Sequence, residues 1–202
     1  MKFAFDTDEV LRDTLSKMKA TYEKFFIEDY VAEEGEEEFE YKIVEPITSY
    51  KFSEHFLFPS NGDYINFMYL DFPMNIFGHA PSMSSNTFNV FSEIQKNVLS
   101  KRDKLSVIGM GVAKIKPASL FFYSKYGMEV DTIHFYNKKT INKVWSKFDV
   151  IVTANPDLLE NKPKNKISIK VETDYNQNIK SDYTILGIEG FTSVYKQLNL
   201  KL

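Results

Sequence analysis

The chain has no cysteine, only eight glycines and seven prolines in 202 residues, and a single tryptophan. Without cysteine there is no disulfide framework and no thiolate to act as nucleophile or metal ligand. No apolar run approaches the roughly 20 residues needed to span a bilayer. Acids at positions 6 and 8 interrupt the place where the apolar part of a leader peptide would begin. An excess of positive charge is also missing. The formal charge is −3, which speaks against a generic nucleic-acid binder. A soluble, intracellular, non-secreted protein that does not engage membranes is the expectation.

Aromatic residues, by contrast, are abundant: 18 Phe and 12 Tyr make up most of a 15% share. Many large rigid side chains with few hinges suit extensive packing, inside a core or against partner chains. The length suits one α/β domain carrying an insertion, or a domain with a small cap.

The most informative stretch lies at the start, Phe3-Ala4-Phe5-Asp6-Thr7-Asp8-Glu9-Val10-Leu11-Arg12-Asp13. A short alternating apolar run stops at two acids one residue apart. Leu11, Leu15, Met18, Tyr22 and Phe25 then recur at helical spacing. The acids are thus expected on a strand-to-helix turn, with Asp8 near the helix N-terminus, where the macrodipole favours negative charge. Two carboxylates on one turn can divide labour, one attacking and the other moving a proton or sharing a cation.

Those residues resemble the first motif of the haloacid dehalogenase-like (HAD-like) superfamily, an apolar strand ending in Asp-x-Asp-x-(Val/Thr)-Leu. The resemblance implies a three-layer α/β fold with a central parallel sheet and an inserted cap-like segment. It also implies Asp6 as the nucleophile that becomes phosphorylated, Asp8 as general acid/base, and Mg2+ held between them. On this reading residues 1–26 and 104–202 form the core. Residues 27–103 form the insertion, as a cap or as an interface arm.

Along the chain, the acidic run 33–40 around Gly35 reads as a solvated loop or hairpin tip. Short strands are expected at 41–44 and 64–70, with a turn signal at 60–63. A helix is expected at 84–101, and His79, in an aromatic loop, could face the cleft. From position 104 the pattern becomes regular. Strands are expected at 105–110, 130–136, 150–153, 167–171 and 183–188, with helices at 117–126, 139–147 and after Gly190. Strand alternating with helix predicts a parallel sheet with right-handed crossovers, and ligands then bind beyond the carboxyl ends of the strands. Leu198, Leu200 and Leu202 form an apolar tip that could dock on the core or on a neighbour.

The family resemblance implies further parts at later strand ends, and the sequence departs from them. A Ser or Thr should close the second strand to bind the phosphoryl group, yet the text reads Val107-Ile108-Gly109-Met110-Gly111. Ser106 comes too early and Ser119 falls inside the next helix, which leaves backbone N–H groups of Gly109 and Gly111 for an anion. A Lys should precede the fourth strand, and Lys138, Lys139 and Lys143 are available, with Lys114 and Lys116 as rivals. Acids should follow the fourth strand to complete the Mg2+ site. Here Ala154 and Asn155 stand in those places and only Asp157 remains, after Pro156. Asp174 is a substitute acid from the fifth strand, whereas Asp149 lies at the wrong end of its strand. Mg2+ is normally held by carboxylates, so the loss of one weighs heavily.

Residues 153–159 and 169–173 also resemble HAD-like proteins of tailed bacteriophages, crAss-like phages among them. Two functions are therefore expected. One is a catalytically degenerate HAD-like domain that packs with other protein subunits as a homo- or hetero-oligomer, in a phage virion or the host cytoplasm. The other is a Mg2+-dependent phosphohydrolase acting on a small phosphate ester such as a nucleoside monophosphate. Asp6, Asp8 and Lys143 would be its catalytic groups, Gly109 and Gly111 its phosphate cradle, and Asp6, Asp8 and Asp157 its metal ligands.

Overall fold

In β1 (Lys2–Asp6) successive side chains point to opposite faces of a sheet, and both faces are buried. Phe3 and Phe5 enter one apolar cluster, with Phe91, Ile94, Phe191 and Tyr195. Ala4 enters another, with Ile108, Ile151, Trp145 and Leu158. A strand buried on both sides belongs in the middle of a parallel sheet. The computed structural model, which describes residues 1–28, 39–100 and 102–199, places it there. Six parallel strands run in the order β3-β2-β1-β4-β5-β6. Helices cover both faces, giving the three-layer α/β architecture.

In chain order the elements after β1 are α1 (Thr14–Tyr22), α2 (Asn61–Asn66), α3 (Thr87–Glu93), β2 (Lys104–Met110), α4 (Ile115–Lys125), β3 (Ile133–Tyr136), α5 (Ile141–Trp145), β4 (Val150–Thr153), α6 (Pro156–Glu160), β5 (Ile167–Val171), β6 (Tyr183–Ile185) and α7 (Phe191–Asn199). Several helices run on into wider π turns, α1 through Glu23–Glu28, α2 through Phe67–Asp71 and α3 through Ile94–Val98. Trp145 donates its indole N–H to the Leu158 carbonyl at 3.0 Å, tying α5 to α6 on one side of the sheet.

The segment between α1 and β2, the expected insertion, differs from the sequence-based expectation. Residues 64–70 are helical: Ser60 caps α2 by accepting from the Asp63 amide, and Phe67 and Met68 turn inward together, as neighbours on a helix can and alternating strand residues cannot. At 41–44 the strand reduces to one bridge, Ile43 to Phe56. This segment builds its own core, in which Met18 and Tyr22 of α1 meet Phe56, Phe67, Ile76 and Ile115. The later part, α3 and its continuation, lies instead on the sheet core, where Phe91 meets the edge of Phe5 at 5.8 Å. The acidic run 33–38 with Gly35, and the Leu200 and Leu202 tip, lie outside the described residues.

Candidate active site

Asp6 closes β1 at the carboxyl rim, between Ile108 of β2 and the end of β4. It is 1% exposed. Its Oδ1 accepts from the Thr7 amide at 2.9 Å, and its Oδ2 accepts from the Thr153 hydroxyl at 2.7 Å and the Tyr136 hydroxyl at 3.0 Å. Thr153 ends β4 and Tyr136 ends β3, so three strand tips converge on one carboxyl. Asn155 completes the cluster by donating to Tyr136 at 3.0 Å. Burial, and next the charge of Asp8, push the Asp6 pKa up to about 7 against those hydrogen bonds. At neutral pH the carboxyl is roughly half protonated, a poor state for a nucleophile.

The helix after the acids does not begin where the periodicity places it. A tight loop intervenes, with the Thr7 carbonyl accepting from both Leu11 and Arg12 amides, and α1 starts at Thr14 with Asp13 as its cap. Asp8 is therefore not at a helix N-terminus, and its charge is balanced by a side chain instead. Arg12 binds Asp8 Oδ1 through Nε at 3.0 Å and Nη2 at 2.6 Å, and the Thr14 hydroxyl donates to the same oxygen. Arg12 is completely buried. It lies within 5.1 and 5.2 Å of the ring centres of Phe77 and Phe122, and Nη1 donates to the Phe77 carbonyl and Ser119 Oγ. A general acid/base must exchange protons with substrate. Asp8 is instead held by a guanidinium that cannot lose its own proton.

Glu9 adopts the left-handed region, φ +58°, which is unusual for a residue with a Cβ. The turn tucks its carboxyl inward, 8% exposed, where Oε1 accepts from the Leu15 amide at 2.7 Å. Burial pushes its pKa up to about 8; the Leu15 amide opposes this and the charges of Asp13 and Asp8 add to it. Two cavities adjoin this rim. A cavity of about 100 Å³ contacts Asp8, Glu9 and a set of aromatic rings. A larger one of about 570 Å³ opens over Tyr136, Asn155, Asp157 and Lys138. Tyr50 and Tyr175 line both, and Asp6 lines neither.

The remaining sequence-derived positions do not converge. Gly111 donates its amide to the Tyr136 carbonyl at 2.7 Å, so that N–H is taken. Gly109 pairs inside β2 with Phe135, and a Cβ there would lie 2.9 Å from Thr7 Oγ1; its glycine serves close packing. Lys143 is exposed on α5 and lines neither cavity. Lys138 does line the larger one, 3.9 Å from Asp157, with most of its side chain in solvent. Lys114 donates to the Leu70 carbonyl and Lys116 lies over the Phe135 ring. Asp174 is exposed beside Gln177, and Asp149 binds Lys2 N–H and Lys166 at the opposite end of the sheet. His79 is exposed against the edge of Phe121.

These residues do not fit a Mg2+ site. Asp6 Oδ2 is filled by two hydroxyl donors, Asp8 Oδ1 carries Arg12 and Thr14, and buried Ala154 stands where a further acid would be needed. Among the described residues no three His, Asp or Glu side chains come close enough to share an ion. Sequence reasoning missed Arg12, Glu9, Tyr136 and Thr153. Two signals were available: the four-residue spacing of Asp8 and Arg12, and the rule that strand-end residues face the site.

No family model matches the sequence, and no curated protein matches it either. Solved structures do share its fold. A haloacid dehalogenase-like hydrolase from Burkholderia xenovorans superposes over 97% of this chain and 96% of its own, with a TM-score of 0.56 at 10% identity. L-2-haloacid dehalogenase from Xanthobacter autotrophicus, with chloropropionic acid covalently bound, covers 96% and 98% at a TM-score of 0.53 and 9% identity. The HAD-hydrolase YfnB from Bacillus subtilis, bound to magnesium, covers 96% and 98% at 0.51 and 13%. The chain thus has the HAD-like α/β fold, spanning essentially the whole length of these hydrolases.

Proposed function

We propose that this is a HAD-like domain without metal-dependent phosphoryl transfer, which works by packing against other protein subunits. The observation that carries the reading is the state of the two acids. Asp6 is sealed beneath Tyr136 and Thr153, and Asp8 is neutralised by a buried arginine. In-line phosphoryl transfer needs an accessible nucleophile and a cation to offset charge, and the described side chains supply neither. Support for assembly comes from the surface. Met74 and Phe121, both 41% exposed, flank Gly78 at the junction of insertion and α4, with Leu120 (44%) next in sequence. Exposed apolar groups gathered in this way mark interaction surfaces. A tailed-phage virion as the particular assembly rests on the resemblance of residues 153–159 and 169–173.

A second reading, the Mg2+-dependent phosphohydrolase, is favoured by one observation: Asp6 stands at the tip of the central strand, at the rim where such sheets bind ligands. Release of p-nitrophenol and of phosphate from a panel of nucleoside monophosphates, with and without Mg2+, separates the two. The expected outcome is a rate that neither Mg2+ nor Asp6→Asn alters. Mg2+-dependent turnover abolished by Asp6→Asn would establish the enzyme. Sedimentation of wild type against a Met74→Glu/Phe121→Glu variant tests assembly, with loss of a larger species expected.

A further inference from the structure

We infer that the cavity of about 100 Å³ beside the Asp8 and Glu9 turn is a binding site for a small organic cation, an alkylammonium or methylated ammonium group. The inference does not depend on whether Asp6 performs chemistry, because the cavity is lined by the other side of the turn. Among the described residues its wall carries two carboxyl side chains and no Lys, Arg or His. The nearest guanidinium, Arg12, is already committed to Asp8, Thr14, Ser119 and the Phe77 carbonyl. An anion entering here would find no free cation among the described lining residues, because Arg12 is already paired. A positive ligand would meet the Glu9 carboxyl and a wall of rings.

The rest of the lining is aromatic. Tyr50, Phe52 and Tyr175 form a corner, their ring centres 5.1 to 5.6 Å apart and inclined to one another at 40° to 82°. Tyr64 closes it from the insertion. Ring faces attract ammonium groups, most strongly where water is excluded. The backbone points the same way. Holding Glu9 at φ +58° with its carboxyl buried costs free energy on two counts, and that conformation places the group against the cavity.

The test is calorimetry on the full chain with tetramethylammonium chloride, a permanent cation. Tert-butanol serves as the neutral analogue and sodium phosphate as the anion. Saturable tetramethylammonium binding is expected, roughly tenfold or more tighter than tert-butanol, with no heat from phosphate. Glu9→Gln should weaken binding by about tenfold. Tyr64→Leu, away from the strained turn, should weaken it several-fold, each variant still melting cooperatively. Three results would each overturn the assignment: no saturable heat with cooperatively melting wild type, tert-butanol binding as tightly as tetramethylammonium, or unchanged affinity in folded Glu9→Gln.

Discussion

The sheet core and the insertion are held together by different means. In the core, five strand pairings fix the register and the side chains fill in on both faces. In the insertion, described from 39 onward, rings take over. Tyr22 alone has four rings of the insertion within 6.4 Å, those of Tyr41, Phe56, Phe58 and Phe67. Backbone ladders specify geometry residue by residue, whereas rings supply area and tolerate many arrangements. The comparison explains why the strand tips hold Asp6 so firmly while the walls of the cavities come from irregular chain. Arg12 joins the two regions, touching Asp8 on the core side and Phe77 on the insertion side.

Breaking that joint should have the largest effect. Arg12→Leu leaves Asp8 without its cation and empties a buried position, and a loss of about 3–5 kcal/mol in urea-induced unfolding is expected. If instead the change is near zero, the two regions are not coupled through this residue. Adding Asp8→Asn should return part of the loss, since the two side chains act as a pair.

Next in size is a cavity placed in each region. Phe5→Ala and Phe56→Ala both remove fully buried rings, at about 3–5 kcal/mol each. Hydrogen exchange should tell them apart. Phe56→Ala should open residues 41–78 while β1, β2 and β4 stay protected, whereas Phe5→Ala should lower protection throughout. Uniform loss in both would show one cooperative unit and dissolve the distinction.

How much of this was legible in the sequence divides along the same line. The strand positions at 105–110, 150–153 and 167–171 follow from apolar runs that ladders require, and the Asp6 turn follows from the break in β1. Thr153 and Tyr136 were readable as strand ends, but nothing in a linear pattern says that their hydroxyls meet on one carboxyl. At 64–70 Tyr, Ile and Phe favour a strand in isolation, while the Ser60 cap and contacts with Tyr22 and Phe26 favour the helix that forms. Gly111 was misassigned for a related reason: whether an amide is free depends on a partner strand that the sequence does not name.

A smaller effect is expected from pH. Asp6 and Glu9 both titrate higher in the folded chain, near 7 and 8, than their ordinary values of 3.8 and 4.5. Between about pH 4 and 8 the folded state binds more protons than the unfolded one, so this contribution is complete at low pH and is lost as pH rises through 7 and 8. Stability should therefore fall by the order of a few kcal/mol from pH 5 to 8.5 in chemical unfolding. Glu9→Gln should flatten the upper part of that profile. Smallest of all is Lys143→Ala, whose exposed side chain lines neither cavity. It should change stability by less than about 0.5 kcal/mol, and any Mg2+-dependent rate not at all.

The central claim is that the strand-tip acids do not form a metal site. Isothermal titration of Mg2+ into the full chain at pH 7.5, with Asp6→Asn as control, tests it most directly. The account predicts no saturable heat in either protein, and saturable 1:1 binding that disappears in Asp6→Asn would contradict it.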